Sequence, residues 1–174
     1  MKVKTLEVLG FIGVFLIGVL LYFAYGWSQE NQFIAMIAPV NGSLWELMKI
    51  PFFSVLIYGI IVYLLAKGEH RNLLFAKVLS AIVTSIFCLM MYFGYTAIFD
   101  QHILLDALVF FVAVVLGQFL SLGILSIQKQ LGGLNFLALI LLMAITMTFA
   151  TFTYEPPQHD FFRDQETNTY GIPY

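Results

Sequence analysis

The chain has one cysteine, Cys88, among 174 residues. A single thiol excludes a disulfide framework and a thiolate zinc site. Charge is also scarce, at 10% Asp, Glu, Lys and Arg, against roughly 25% in an ordinary soluble domain. The eight basic residues are scattered and the formal net charge is −2, so no basic face exists to hold phosphates. A nucleic-acid binder is thereby excluded. Hydrophobic residues make up 61% of the sequence, and mean hydropathy is +0.92. An ordinary soluble enzyme and a disordered regulator do not have this composition. What remains is a polytopic membrane protein.

A span needs about 20 apolar residues. Five candidate spans are present: Val8–Trp27, Ile50–Ala66, Leu73–Phe99, Ile103–Ile127 and Leu134–Thr153. The first is too long and too bulky at Leu21-Tyr22-Phe23 for a cleaved signal peptide. No internal repeat is visible, and an odd span count argues against a two-fold transporter repeat. The fold class expected is an all-α, polytopic transmembrane helix bundle of about five spans. Residues 1–153 would form the spanning domain, and residues 154–174 an extracytoplasmic tail folded on the outer face.

Basic residues give the orientation. With the N-terminus inside, Lys2, Lys4, Lys67, Arg71, Lys77 and Lys129 are cytoplasmic, while Lys49 and Arg163 are outside. That split follows the positive-inside rule. Glu7 and Glu69 would lie inside and the other acids outside. The expected topology is N-in and C-out.

The loop after the first span is informative. Ser43 with Glu46 three residues later forms a capping box that opens a helix into the second span. Pro51 lies inside that span and predicts a kink. A cap accounts for Glu46 fully; the alternative is a carboxylate facing a polar pocket. In the third span Lys77, Ala81, Thr84, Cys88, Tyr92 and Tyr95 recur at helical steps and line one side, with Lys77 expected to snorkel to the inner surface. In the fourth, His102 and Asp106 are four residues apart and share a face with Ala113, Gly117 and Ser121. An ionisable group within a span is a functional candidate by default, but an ion pair or cap would also explain Asp106. Gln118, deeper in this helix, reads as an interhelical hydrogen-bonding residue. Gly10, Val14 and Gly18 give the first helix a close-packing face, suited to internal packing or to a dimer. The tail carries Phe161, Phe162, Tyr170 and Tyr174, which a simple solvated terminus would not need, so it is expected to cap the bundle.

These residues resemble an uncharacterised family of small bacterial membrane proteins, a domain of unknown function. The stretch Pro39-Val40-Asn41-Gly42-Ser43-Leu44-Trp45-Glu46-Leu47-Met48-Lys49 is similar to the family's P-V-N-E-S-x-W-E-H-x-K. Tyr92-Phe93-Gly94-Tyr95-Thr96, His102 with Asp106 and Gly117-Gln118, and the tail's Pro156-Pro157, Phe162, Asp164 and Tyr170-Gly171-Ile172 complete the resemblance. It implies a bacterial plasma-membrane location and supplies no activity. Gly42 stands where the family has glutamate and Leu47 where it has histidine, so any metal or catalytic site built on that motif has lost two ligands here.

Glu46, Tyr92, Tyr95, Asp100, His102, Asp106, His159, Asp160 and Asp164 all fall near the outer face and suggest a wet, acidic, outward-open pocket. The favoured reading is a non-enzymatic binding or accessory protein that recognises a lipid headgroup, a small cation or a partner membrane protein. The alternative is an intramembrane metal-dependent hydrolase of a lipid-like substrate, with His102, Asp106 and His159 as ligands of a divalent metal and Glu46 or Asp160 activating water. The third is a small transporter, which would want a carboxylate in the inner halves of the spans; none is expected there. No cofactor is firmly implied.

Overall fold

The computed structural model describes residues 2–66 and 71–172. Expectations placed on Lys67, Glu69 and Tyr174 lie outside the described residues. Five helices are long and apolar enough to cross a membrane: α1 (Val3–Trp27), α3 with α4 (Leu44–Leu47 and Lys49–Leu65), α5 (Leu73–Thr96), α6 (Ile103–Leu125) and α7 (Gly132–Tyr154). A short helix α2 (Gln32–Ala35) lies between the first two spans, and a single 3₁₀ turn (Asp160–Phe162) lies in the tail.

The bundle has two ends. Lys2, Lys4, Arg71 and Lys129 cluster at the end where α1 begins, called here the N-terminal end. The α1–α4 connection and the C-terminal segment meet at the other, the tail end. Asn72 fastens the N-terminal loops. It adopts a left-handed φ of 60°, which Asn tolerates better than most residues. Its amide donates to the Lys129 carbonyl at 2.9 Å and its oxygen accepts from the Leu131 N–H at 2.8 Å.

α5 packs between α4 and α6, α1 closes the bundle against α4 and α6, and α7 lies outside against α5. Only 17% of the apolar stretch of α7 is buried, against 50% for the α3–α4 span, so the bundle leaves most of the α7 surface uncovered. The small-residue face of α1 is spent inside the bundle. A Cβ at Gly10 would come within 1.7 Å of Gln118 Nε2, and one at Gly18 within 2.3 Å of the Phe110 ring. Small residues here let side chains of α4 and α6 reach the α1 backbone.

The second span is interrupted at Met48, and Pro51 stands in the first turn of α4 rather than well inside a continuous helix. Proline's missing N–H removes the bond that would have joined the two pieces, and in a first turn its cost is small. The tail folds back. The Asn41 amide donates to the Gly171 carbonyl at 2.8 Å. The Trp45 ring packs against Phe149, Phe152, Phe161 and Phe162, with centroids 4.9, 5.4, 6.3 and 5.1 Å away.

Three expectations about charge are corrected. Lys77 does not snorkel, and Glu7 is not at the surface. Both are buried, and they form an ion pair at 2.7 Å between α1 and α5. Lys49, counted among the charges of the outer side, is fully buried beside Glu46 at 2.6 Å. A charged side chain in an apolar medium finds a partner of opposite sign when the helices bring one within reach. α1 consequently starts at Val3 rather than Val8, because Glu7 belongs to the bundle. The halves of the spans nearer the N-terminal end, expected to lack a carboxylate, therefore do hold one.

Candidate functional site

Glu46 is a structural clamp. The Ser43 hydroxyl accepts the Glu46 N–H at 3.3 Å, which is half of a capping box. The Glu46 carboxylate does not return to Ser43; the Asn41 side chain takes the Ser43 N–H instead, at 2.9 Å. Glu46 Oε2 accepts from the Val40 N–H at 3.0 Å and from Lys49 Nζ, and Oε1 accepts from the Thr153 hydroxyl at 2.8 Å. Lys49 Nζ also donates to the Ala35 carbonyl at 2.8 Å. One ion pair thus ties together the α2 loop, the α3–α4 span and the end of α7. Both charges are hydrogen-bonded beyond their own pairing, which makes such a buried pair tolerable.

Asp106 is placed differently. It is half-buried in the first turn of α6, where a carboxylate also complements the helix dipole. The Tyr95 hydroxyl donates to Oδ1, and the Gln101 amide lies 3.3 Å from Oδ2. The Tyr92 hydroxyl donates to Gln101 Oε1 at 3.2 Å, which extends the chain of bonds. This carboxylate faces a cleft of about 520 Å³ at the tail end. The walls come from α1 (Phe15, Val19), the α3–α4 span (Leu47, Ile50), α5 (Cys88, Leu89) and α6 (Val109, Phe110), and the tail's Asp164, Gln165 and Glu166 close one side. Among the described residues lining the cleft, none is Lys, Arg or His.

Of the remaining candidates, Asp164 lines the cleft with Asp106, whereas Asp100, His102, His159 and Asp160 are not among its lining residues. His102 caps α6, with Nδ1 accepting the Leu104 N–H at 3.2 Å, and forms no ion pair with Asp106 among the described residues. His159 is exposed and caps the tail's 3₁₀ turn in the same way, with Nδ1 accepting from Phe161 at 3.2 Å. Asp160 is exposed and pairs with Arg163 at 2.9 Å, and Asp100 is exposed. Asp164 is buried and orders its own loop, accepting the Glu166 N–H at 3.1 Å and the Thr167 hydroxyl at 2.7 Å. Among the described residues no group of three or more His, Cys, Asp or Glu is placed to hold a metal ion, so His102, Asp106 and His159 are not brought together.

Gln118 belongs to the N-terminal end. Its amide donates to the Glu7 carbonyl at 3.0 Å, and its oxygen lies 3.3 Å from Lys77 Nζ. The Lys77 ammonium also stands 5.5 Å from the Tyr58 ring centroid. Glu7 Oε1 has no hydrogen-bond partner among the described residues, although it is buried. Sequence reasoning read Gln118 as an interhelical hydrogen-bonding residue but missed the Glu7–Lys77 pair beside it. The signal was present, since Glu7 lies one helical step before Gly10, Val14 and Gly18 and so shares their inward face.

The model of a family of unknown function (DUF6512) matches residues 2–172. No curated protein and no solved structure matches the chain.

Proposed function

We propose, for a chain that belongs to this family of unknown function, a multi-pass membrane protein that binds an amphipathic molecule in its tail-end cleft without transforming it. The carrying observation is the cleft itself: apolar side chains of four spans form its walls, and Asp106 with the tail supplies polar groups at one end. Its volume, about 520 Å³, falls within the usual range of small-molecule sites. Apolar walls suit an acyl or alkyl chain, and the polar end suits a head group. Two further buried carboxylates at this end support binding over hydrolysis, because Glu46 is engaged by its clamp and Asp164 by its own loop. Lys2, Lys4, Arg71 and Lys129 at the opposite end support an inside N-terminus, so the cleft opens outward from what the resemblance suggests is a bacterial plasma membrane.

The test is native mass spectrometry of the protein released from phospholipid nanodiscs, wild type against Ala107→Trp, which fills the cleft. Wild type should retain one amphiphile at energies that strip loosely held lipid, and the filled variant should not. Equal retention by both would overturn the reading.

A further inference from the structure

Charge in the cleft points to the kind of head group it takes. We infer that the cleft selects an amphiphile with a positively charged, ammonium-type head seated against Asp106; this rests on the cleft being a binding site. Asp106 has both carboxylate oxygens held by neutral donors, the Tyr95 hydroxyl and the Gln101 amide, so its negative charge is oriented but not neutralised. Glu166, exposed on the tail, adds a second negative group at the same end. No cation among the described lining residues offsets them. His102, the residue beside this rim, is not among the lining residues, and its Nδ1 is turned to the Leu104 N–H as a helix cap. Arg163, the basic residue of the tail, is paired with Asp160.

The rings at this end add to the same preference. Tyr22 and Tyr92 both line the cleft, and aromatic faces attract ammonium groups, more so where water is excluded. A phosphate, sulfate or carboxylate head would meet Asp106 and Glu166 with no compensating cation. A neutral head would forgo the attraction. An alkylammonium satisfies both parts of the cavity, with its chain among Phe15, Val19 and Leu89 and its head at Asp106.

Cys88, the sole thiol, lines the cleft and reports its occupancy. In neutral maltoside micelles, the rate of Cys88 modification by N-ethylmaleimide is followed with increasing dodecyltrimethylammonium or dodecyl sulfate, at mole fractions that leave the helical circular-dichroism signal unchanged. The expected result is protection by the cationic amphiphile at about ten-fold lower concentration than by the anionic one. Asp106→Asn should abolish that preference. If that variant does not fold, Glu166→Gln should weaken the preference in its place, and added salt should reduce it in the wild type. Equal protection by both amphiphiles would overturn the charge inference while leaving amphiphile binding intact. Protection by neither would defeat the binding reading as well. Equal protection by tetramethylammonium, which has no chain, would overturn the amphiphilic part of the proposal.

Discussion

Glu46 and Glu7 are both buried carboxylates paired with a lysine, one at each end of the same bundle, yet their surroundings differ. Around Glu46 and Lys49 the chain supplies the Val40 N–H, the Thr153 hydroxyl and the Ala35 carbonyl, so the pair joins three segments. Around Glu7 and Lys77 it supplies Gln118 and the face of Tyr58, and Glu7 Oε1 is left without a partner among the described residues. The first pair therefore holds a fold together that apolar side chains could not. The second is a charge pair enclosed by close helix packing. Neither carboxylate faces the cleft, and that leaves Asp106 as the carboxylate of a span that does.

The sharpest break of this comparison is Lys49→Met. It strands a buried Glu46 and should cost about 3–5 kcal/mol, read as a loss of thermal stability in detergent. Next come the double replacements. Glu46→Leu with Lys49→Met leaves several backbone and hydroxyl groups unpaired and should still cost about 2–4 kcal/mol. Glu7→Leu with Lys77→Met removes both charges while orphaning little else, and should fall within about 1 kcal/mol of wild type. Equal losses in the two doubles would erase the distinction between the ends.

Smaller effects sharpen the picture of the tail end. Trp45→Ala should release the tail, with chymotryptic cleavage near Phe161 and Phe162 accelerated about ten-fold, equivalent to about 1.4 kcal/mol of local opening. His102→Ala should remove a helix cap at a cost of about 1 kcal/mol or less and leave the amphiphile preference of the cleft unchanged. A His102 variant that lost binding altogether would return that residue to the site.

Much of the architecture was legible because spans announce themselves by length and hydropathy, and the aromatic tail by its rings. The buried pairs were less legible. Charge counting treats Glu7, Lys49 and Lys77 as solvent-seeking, and no periodicity reveals that Glu7 will meet a lysine 70 positions away. An ion pair of His102 with Asp106 is one reading of their spacing, and it is not formed, for a local reason. His102 is the cap, with extended backbone at φ −146°, so the four-residue face rule does not reach it. Asp106 turns instead to Tyr95 and Gln101 from the preceding helix end and loop. Asp164 looked like a free pocket acid because a loop's internal hydrogen bonds cannot be counted before its turn is known.

The most direct test of an outward-open cleft is the side from which Cys88 is reached. A membrane-impermeant methanethiosulfonate is applied to sealed vesicles of each orientation, the exposed side being identified by protease access to the tail. The account predicts modification from the side that carries the tail, and none in Ala107→Trp. Modification from the side of Lys129, or equal modification of the filled variant, would contradict it.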